Sequence, residues 1–163
     1  MKKLFTLFIV LSLISCNDGD FEVPAFEFTE TINSCNDYFL FKTSSSSTEV
    51  IYMALTSTQF SSSVGEKSYS ISASLPVTYR IFDEGIGTDY FCQTVPPTTP
   101  AVLQELNGTG SIIIVTSEII DNNNEVTGYN YDISFENLLF KDENDSDRVY
   151  FESFDFGTFP INN

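Results

Sequence analysis

Two consecutive stretches decide the fold: "TGSIIIVTSEIID" (109–121) and "EVTGYNYDISFENLLF" (125–140). In the second, Tyr129, Tyr131, Ile133 and Phe135 alternate with Asn130, Asp132, Ser134 and Glu136. A period of two puts the first set on one face of a strand and the second set on the other. The first stretch is rich in β-branched residues, which suit a pleated, half-buried surface. Asn122 to Asn124 lie between them, and asparagine tolerates the positive φ that a tight reversal demands. The pair predicts a long antiparallel hairpin.

Working outward, other segments read the same way. "DYFLFKT" (37–43) and "EVIYMALT" (49–56) flank the polar run Ser44 to Thr48, predicting a second hairpin. In "YSISASL" (69–75), Tyr69, Ile71, Ala73 and Leu75 alternate with serines. "VTYRIFD" (77–83) follows Pro76, which suits an edge or a bend better than a central strand. Gly85 and Gly87 mark a turn before "DYFCQ" (89–93). "TVPPTTPAVLQEL" (94–106) reads as a crossover, with a short helical turn expected over 101–106. A last strand, "RVYFESFDF" (148–156), follows the acidic "KDENDSD" (141–147). About eight or nine short strands with almost no helical period predict an all-β domain. The expected form is a single antiparallel β-sandwich, with a small β-barrel as the alternative. Neither side of the proline-rich stretch holds enough strands to stand alone, so residues 31–163 are expected to form one β domain.

Composition removes several chemistries. The 163 residues include no histidine and no tryptophan, so Ser-His-Asp triads, Cys-His pairs and most zinc sites are out of reach. The chain has 23 acidic and seven basic residues, a formal charge of −16. Two of the basic residues are Lys2 and Lys3, at the extreme N-terminus. The rest of the chain is strongly acidic and would be repelled by phosphate backbones, so no nucleic-acid partner is expected.

That N-terminus has its own pattern. Lys2 and Lys3 precede the apolar run "LFTLFIVLSLI" (4–14), too short to span a bilayer but of the length of a signal-peptide core. It ends at Ser15-Cys16 and turns acidic as "CNDGDFE" (16–22). Leu13-Ile14-Ser15-Cys16 resembles the lipobox of bacterial lipoproteins, although Ile14 is larger than the residue usual there. The resemblance implies a signal peptide over 1–15, cleavage between Ser15 and Cys16, and acylation of Cys16. At about 0.8 kcal/mol per buried CH₂, several acyl chains anchor where one is marginal. Asp18, Asp20, Phe21 and Glu22 resemble the acidic lipoprotein export signal of Bacteroidota in its flavobacterial form. That likeness implies the outer face of the outer membrane, with the periplasmic face as the alternative. Residues 16–30 would then be an acidic tether. Taken whole, the chain resembles the small lipoproteins of flavobacteria and their relatives. The specific motifs lie in its first 22 residues, and they imply an address without an activity.

Cys35 and Cys92 are the remaining cysteines, an even number in a chain expected to be exported. They are read as one structural disulfide, against the alternative of two buried free thiols. Asp142, Glu143, Asp145 and Asp147 gather oxygens that would suit calcium, but as an EF-hand the loop lacks the glycine and the closing glutamate. A solvated turn is the simpler reading. The Tyr129/Tyr131/Phe135 face would line a ligand pocket or, more simply, fill the core. No catalytic residues, metal site or cofactor are nominated. The expected function is a lipid-anchored, non-catalytic, surface-displayed β-domain that binds or supports an envelope protein or an extracellular ligand. The alternatives are a carrier of a small apolar ligand in a barrel cavity and a carboxylate-based glycan hydrolase.

Overall fold

A computed structural model of the chain describes residues 27–36, 38–95, 97–142 and 148–162. Ser15, Cys16, Asp18, Asp20, Phe21 and Glu22 lie outside them, as do Glu143, Asp145 and Asp147 of the acidic loop.

The long hairpin forms the spine of the domain. β6 (Val102–Ile120) and β7 (Val126–Lys141) pair antiparallel, from Asn107 opposite Lys141 to Ile120 opposite Val126. At their turn, the Asp121 carboxylate accepts the amides of Asn123 and Glu125 at 2.8 and 2.9 Å, and Asn124 takes φ +62°. The third member of the spine, β8 (Arg148–Asn162), pairs with the far side of β7. Pro160 sits in β8, an edge strand with a ladder on one side only, the place in a sheet where a residue without an N–H is tolerated.

The other edge of β6 is shared. β5 (Val77–Phe82) takes its first part, from Val102 to Asn107, and β4 (Gly65–Ser70) takes the part from Ser111 to Thr116. Beyond β5 come β3 (Glu49–Ala54), β2 (Phe39–Thr43) and the short β1 (Asn33–Cys35). All eight strands belong to one antiparallel sheet, curled into a half-barrel.

The all-β, antiparallel expectation thus holds, as do the hairpins over 37–56 and 109–140. Three local expectations do not. β5 is an interior strand, paired with both β3 and β6; Pro76 stands just before it, where no ladder bond is lost. Residues 102–106 are strand, because pairing with β5 outweighs the helix-forming Leu, Gln and Glu. β4 ends at Ser70, and 71–75 form a turn closed by a Ser72–Leu75 bridge.

The curl gives the sheet a filled concave face. Tyr79, Leu106, Ile112, Ile114, Ile133, Phe135, Phe140 and Phe156 are among its fully buried side chains. On the opposite face of β2, β3 and β5 lies a second cluster of Phe41, Val50, Phe82, Ile86 and Tyr90. The segment 83–101 covers it, including a single 3-10 turn at Tyr90–Cys92. The Cys35–Cys92 disulfide ties that cover to β1, with 5.0 Å between the two Cα atoms.

Where the two ends of the curled sheet approach, a side chain makes the join. β8 has a bulge at Phe156, since Ile133 pairs with Gly157 while Ser134 pairs with Asp155. Lys42, on β2 and only 6% exposed, reaches across and donates to the carbonyls of Asp155 and Phe156 at 3.2 and 3.0 Å. Its ammonium also lies 5.8 Å from the Phe154 ring centroid. Burial holds its pKa below the ordinary lysine value, partly countered by Asp155 and Glu30.

Replacing Lys42 by Met keeps the aliphatic stem and removes the donors. Hydrogen bonds to a charged group are worth about 1.5–3 kcal/mol each, less the desolvation the ammonium no longer suffers. The K42M variant is therefore expected to lose about 2 kcal/mol in urea unfolding. An unchanged midpoint would show that the ammonium contributes nothing to closing the sheet.

Candidate functional site

The concave face is not covered along its whole length. β7 and β8 run on past the end of β4, whose last partner in that direction is Thr116. There the loop 55–64 folds across the opening, anchored by Phe60. Thr56 and Gln59 lock the loop, with the Gln59 side-chain oxygen accepting from the Thr56 amide at 3.0 Å and its hydroxyl at 2.6 Å. The Phe60 ring meets Tyr131 edge-on at 4.8 Å and stacks with Tyr38 at 6.0 Å. The Tyr131 hydroxyl donates to the Phe60 carbonyl at 3.2 Å, so both ends of that phenylalanine are held.

Between this loop and the strands lies an open cleft of about 720 Å³. Its aromatic walls are Tyr38, Tyr69, Tyr129 and Tyr131, with Phe60 and Ile161 between them. Ser57, Thr58, Ser61 and Ser62 supply hydroxyls along the loop side. Lys67 is the one charged side chain of the lining among the described residues, and its ammonium donates to Ser61 Oγ at 3.0 Å. Among the described residues no carboxylate lines the cleft; Glu118, opposite Tyr129 in the ladder, is exposed and is not part of the lining.

The tyrosines divide by burial. Tyr131 is 2% exposed and belongs to the floor, and burial raises its phenol pKa. Tyr38 is 42% exposed, and Tyr69 and Tyr129 are half-buried. The hydroxyls of Tyr38 and Tyr129 make no hydrogen bond within the described residues, leaving them presented to whatever enters. Comparison with family models, with curated proteins and with solved structures found no match.

Of the face singled out in the sequence, Tyr129 and Tyr131 reach the cleft while Phe135 is fully buried beneath it. Tyr69 and Lys67 join them from β4, Tyr38 from just before β2, and Phe60 from the 55–64 loop, a convergence that no sequence spacing announces.

A second, shallower pocket of about 570 Å³ surrounds Lys42, with Glu27, Glu30 and Asp155 at its rim and Phe28 and Phe154 in its walls. Phe28 packs edge-on against Phe154 at 5.3 Å and bridges to Ser44, so residues 27–30 lie against the domain. The lysine there is already engaged by β8, which makes this pocket part of the seam. Among the described residues, no group of three or more Cys, Asp or Glu is placed to hold a metal ion.

Proposed function

We propose that this chain is a lipid-anchored, non-catalytic domain of the bacterial cell envelope, displayed on the outer surface, that binds an extracellular ligand through the tyrosine cleft. The observation that carries the binding role is the cleft itself: open, mixed in polarity, and built on the strands of one continuous sheet. Aromatic side chains with exposed hydroxyls combine contact area with directional polar ends, the combination that recognition sites use. The filled concave core favours this reading over a carrier, which needs an unoccupied apolar cavity. Hydrolysis of a glycan by carboxylates needs two of them across the substrate, and the described lining offers none. The lipid anchor and surface address rest on the sequence "LISCNDGDFE" (13–22).

Two measurements test the address. Cys16→Ala is expected to accumulate as a precursor that takes up no labelled fatty acid; normal processing in that variant would overturn the anchor. Protease added to intact cells is expected to digest the domain as completely as it does after lysis. Protection until lysis would move the domain to the periplasmic side.

A further inference from the structure

Resting on the reading of the cleft as a binding site, we infer that its ligand is a neutral oligosaccharide chain, stacked on Tyr38 and Tyr129 and hydrogen-bonded by the hydroxyls of the 55–64 loop. Charge narrows the choice first. An anionic chain, whether polyuronate, nucleic acid or acidic peptide, would approach a protein of net charge −16 with Lys67 as the only cation of the lining among the described residues. A cationic peptide calls for carboxylates, and among the described residues the lining has none. A neutral ligand suffers neither mismatch.

Polarity narrows it again. An apolar molecule would need enclosure, whereas this cleft is open along one side and edged by Ser57, Thr58 and Ser62. Hydroxyl groups both donate and accept, which matches a ligand that is itself covered in hydroxyls. The C–H face of a pyranose ring is flat and weakly apolar, and a tyrosine ring offers it a surface of the same size. Tyr38 stands at the entry to β2 and Tyr129 on β7, so two separate strands each bring a tyrosine ring to the cleft. The volume, about 720 Å³, falls within the ~300–1,000 Å³ range of small-ligand sites.

The test is native affinity electrophoresis of the full-length protein in detergent. Separate gels carry neutral polysaccharides (starch, laminarin, xylan and galactomannan), an anionic one (pectate) and a protein (gelatin). At least one neutral polysaccharide is expected to retard the protein. Tyr38→Ala and Tyr129→Ala are each expected to weaken that retardation by roughly tenfold, the loss typical of an aromatic anchor. Tyr150→Ala, outside the cleft, should behave as wild type, and matched thermal melts would show that all three variants are folded. Retardation only by pectate or gelatin, lost in the same two variants, would overturn the neutral-sugar assignment and leave the cleft as a binding site. Retardation that both variants retain would overturn the site. No retardation in any gel would overturn both.

Discussion

Phe135→Ala is expected to cost the domain about 4 kcal/mol, within the ~3–5 kcal/mol range for deleting a buried phenylalanine ring. Phe135 is fully buried, with Phe156 edge-on at 5.6 Å and Phe154 at 6.1 Å. Its ladder partners are Ile112 on β6 and Phe154 on β8, so the cavity left behind would lie between three strands that cannot close over it. Tyr129 is on the same strand and the same face, three positions of the alternation away. It is half-buried at the open end of the cleft, and its truncation is expected to cost about 1 kcal/mol. Urea unfolding of the two variants checks the contrast. Equal losses would mean that the cleft is part of the core, and would remove the basis for treating Tyr129 as a ligand contact.

That contrast also marks how far the sequence could be read. Period-two alternation over 129–135 identified the strand and the inward face, because both depend only on local spacing. It could not show where along β7 the concave face stops being covered, since the cover comes from residues 55–64. The same limit hid a change of phase. Past Phe135 the buried positions become Leu138 and Phe140. The shift happens at a bulge where Gly110, at φ +128°, faces Asn137, at φ +51°. A Cβ on Gly110 would lie 2.6 Å from the Asn137 carbonyl oxygen, so the close approach of the two strands requires glycine there. In the sequence, that glycine looks like any other.

Lys42 shows the limit from another side. A lysine within "FLFKT" (39–43) is an oddity for a buried strand, and its phase matches that of Leu40, an inward residue. What satisfies it lies 113 residues further along, in the backbone of β8. A sequence can flag a charge in a core strand, but it cannot supply a partner that is a carbonyl rather than a side chain. The cysteines were more legible, because a disulfide needs two residues of one type and only Cys35 and Cys92 lie beyond the N-terminal apolar run and its flanking cysteine. What the pairing holds in place was visible only in the fold.

Loss of the Cys35–Cys92 bond is expected to destabilise the domain by about 4 kcal/mol on the chain-entropy account, given the separation of 57 residues. The loss should also have a place. The bond fastens the 83–101 segment over the cluster on the outer face of β2, β3 and β5. Phe91, next to Cys92, contacts Tyr52, Phe41 and Phe39 with ring centroids 5.0, 5.1 and 5.3 Å away. Among the described residues, the segment is otherwise held to the sheet by Ile86, which donates to the Ser47 carbonyl at 2.9 Å, and by Tyr90, edge-on to Phe82 at 5.0 Å, while Ala101 donates to the Asp83 carboxylate at 2.8 Å and closes the base of the segment on itself. With Cys92→Ser, chosen because Cys92 is exposed while Cys35 is buried, the segment should lift before the half-barrel unfolds. Hydrogen exchange in 83–101 would then accelerate at denaturant concentrations that leave β6 and β7 protected. Exposure of the Phe39–Phe41–Phe91 cluster would add binding of an apolar dye. Since the cleft lies on the opposite face of the sheet, ligand retention should survive the substitution. A variant that exchanged uniformly, with β6 and β7 opening together with 83–101, would show that the segment and the half-barrel are a single cooperative unit, with the disulfide stabilising the whole rather than latching a cover.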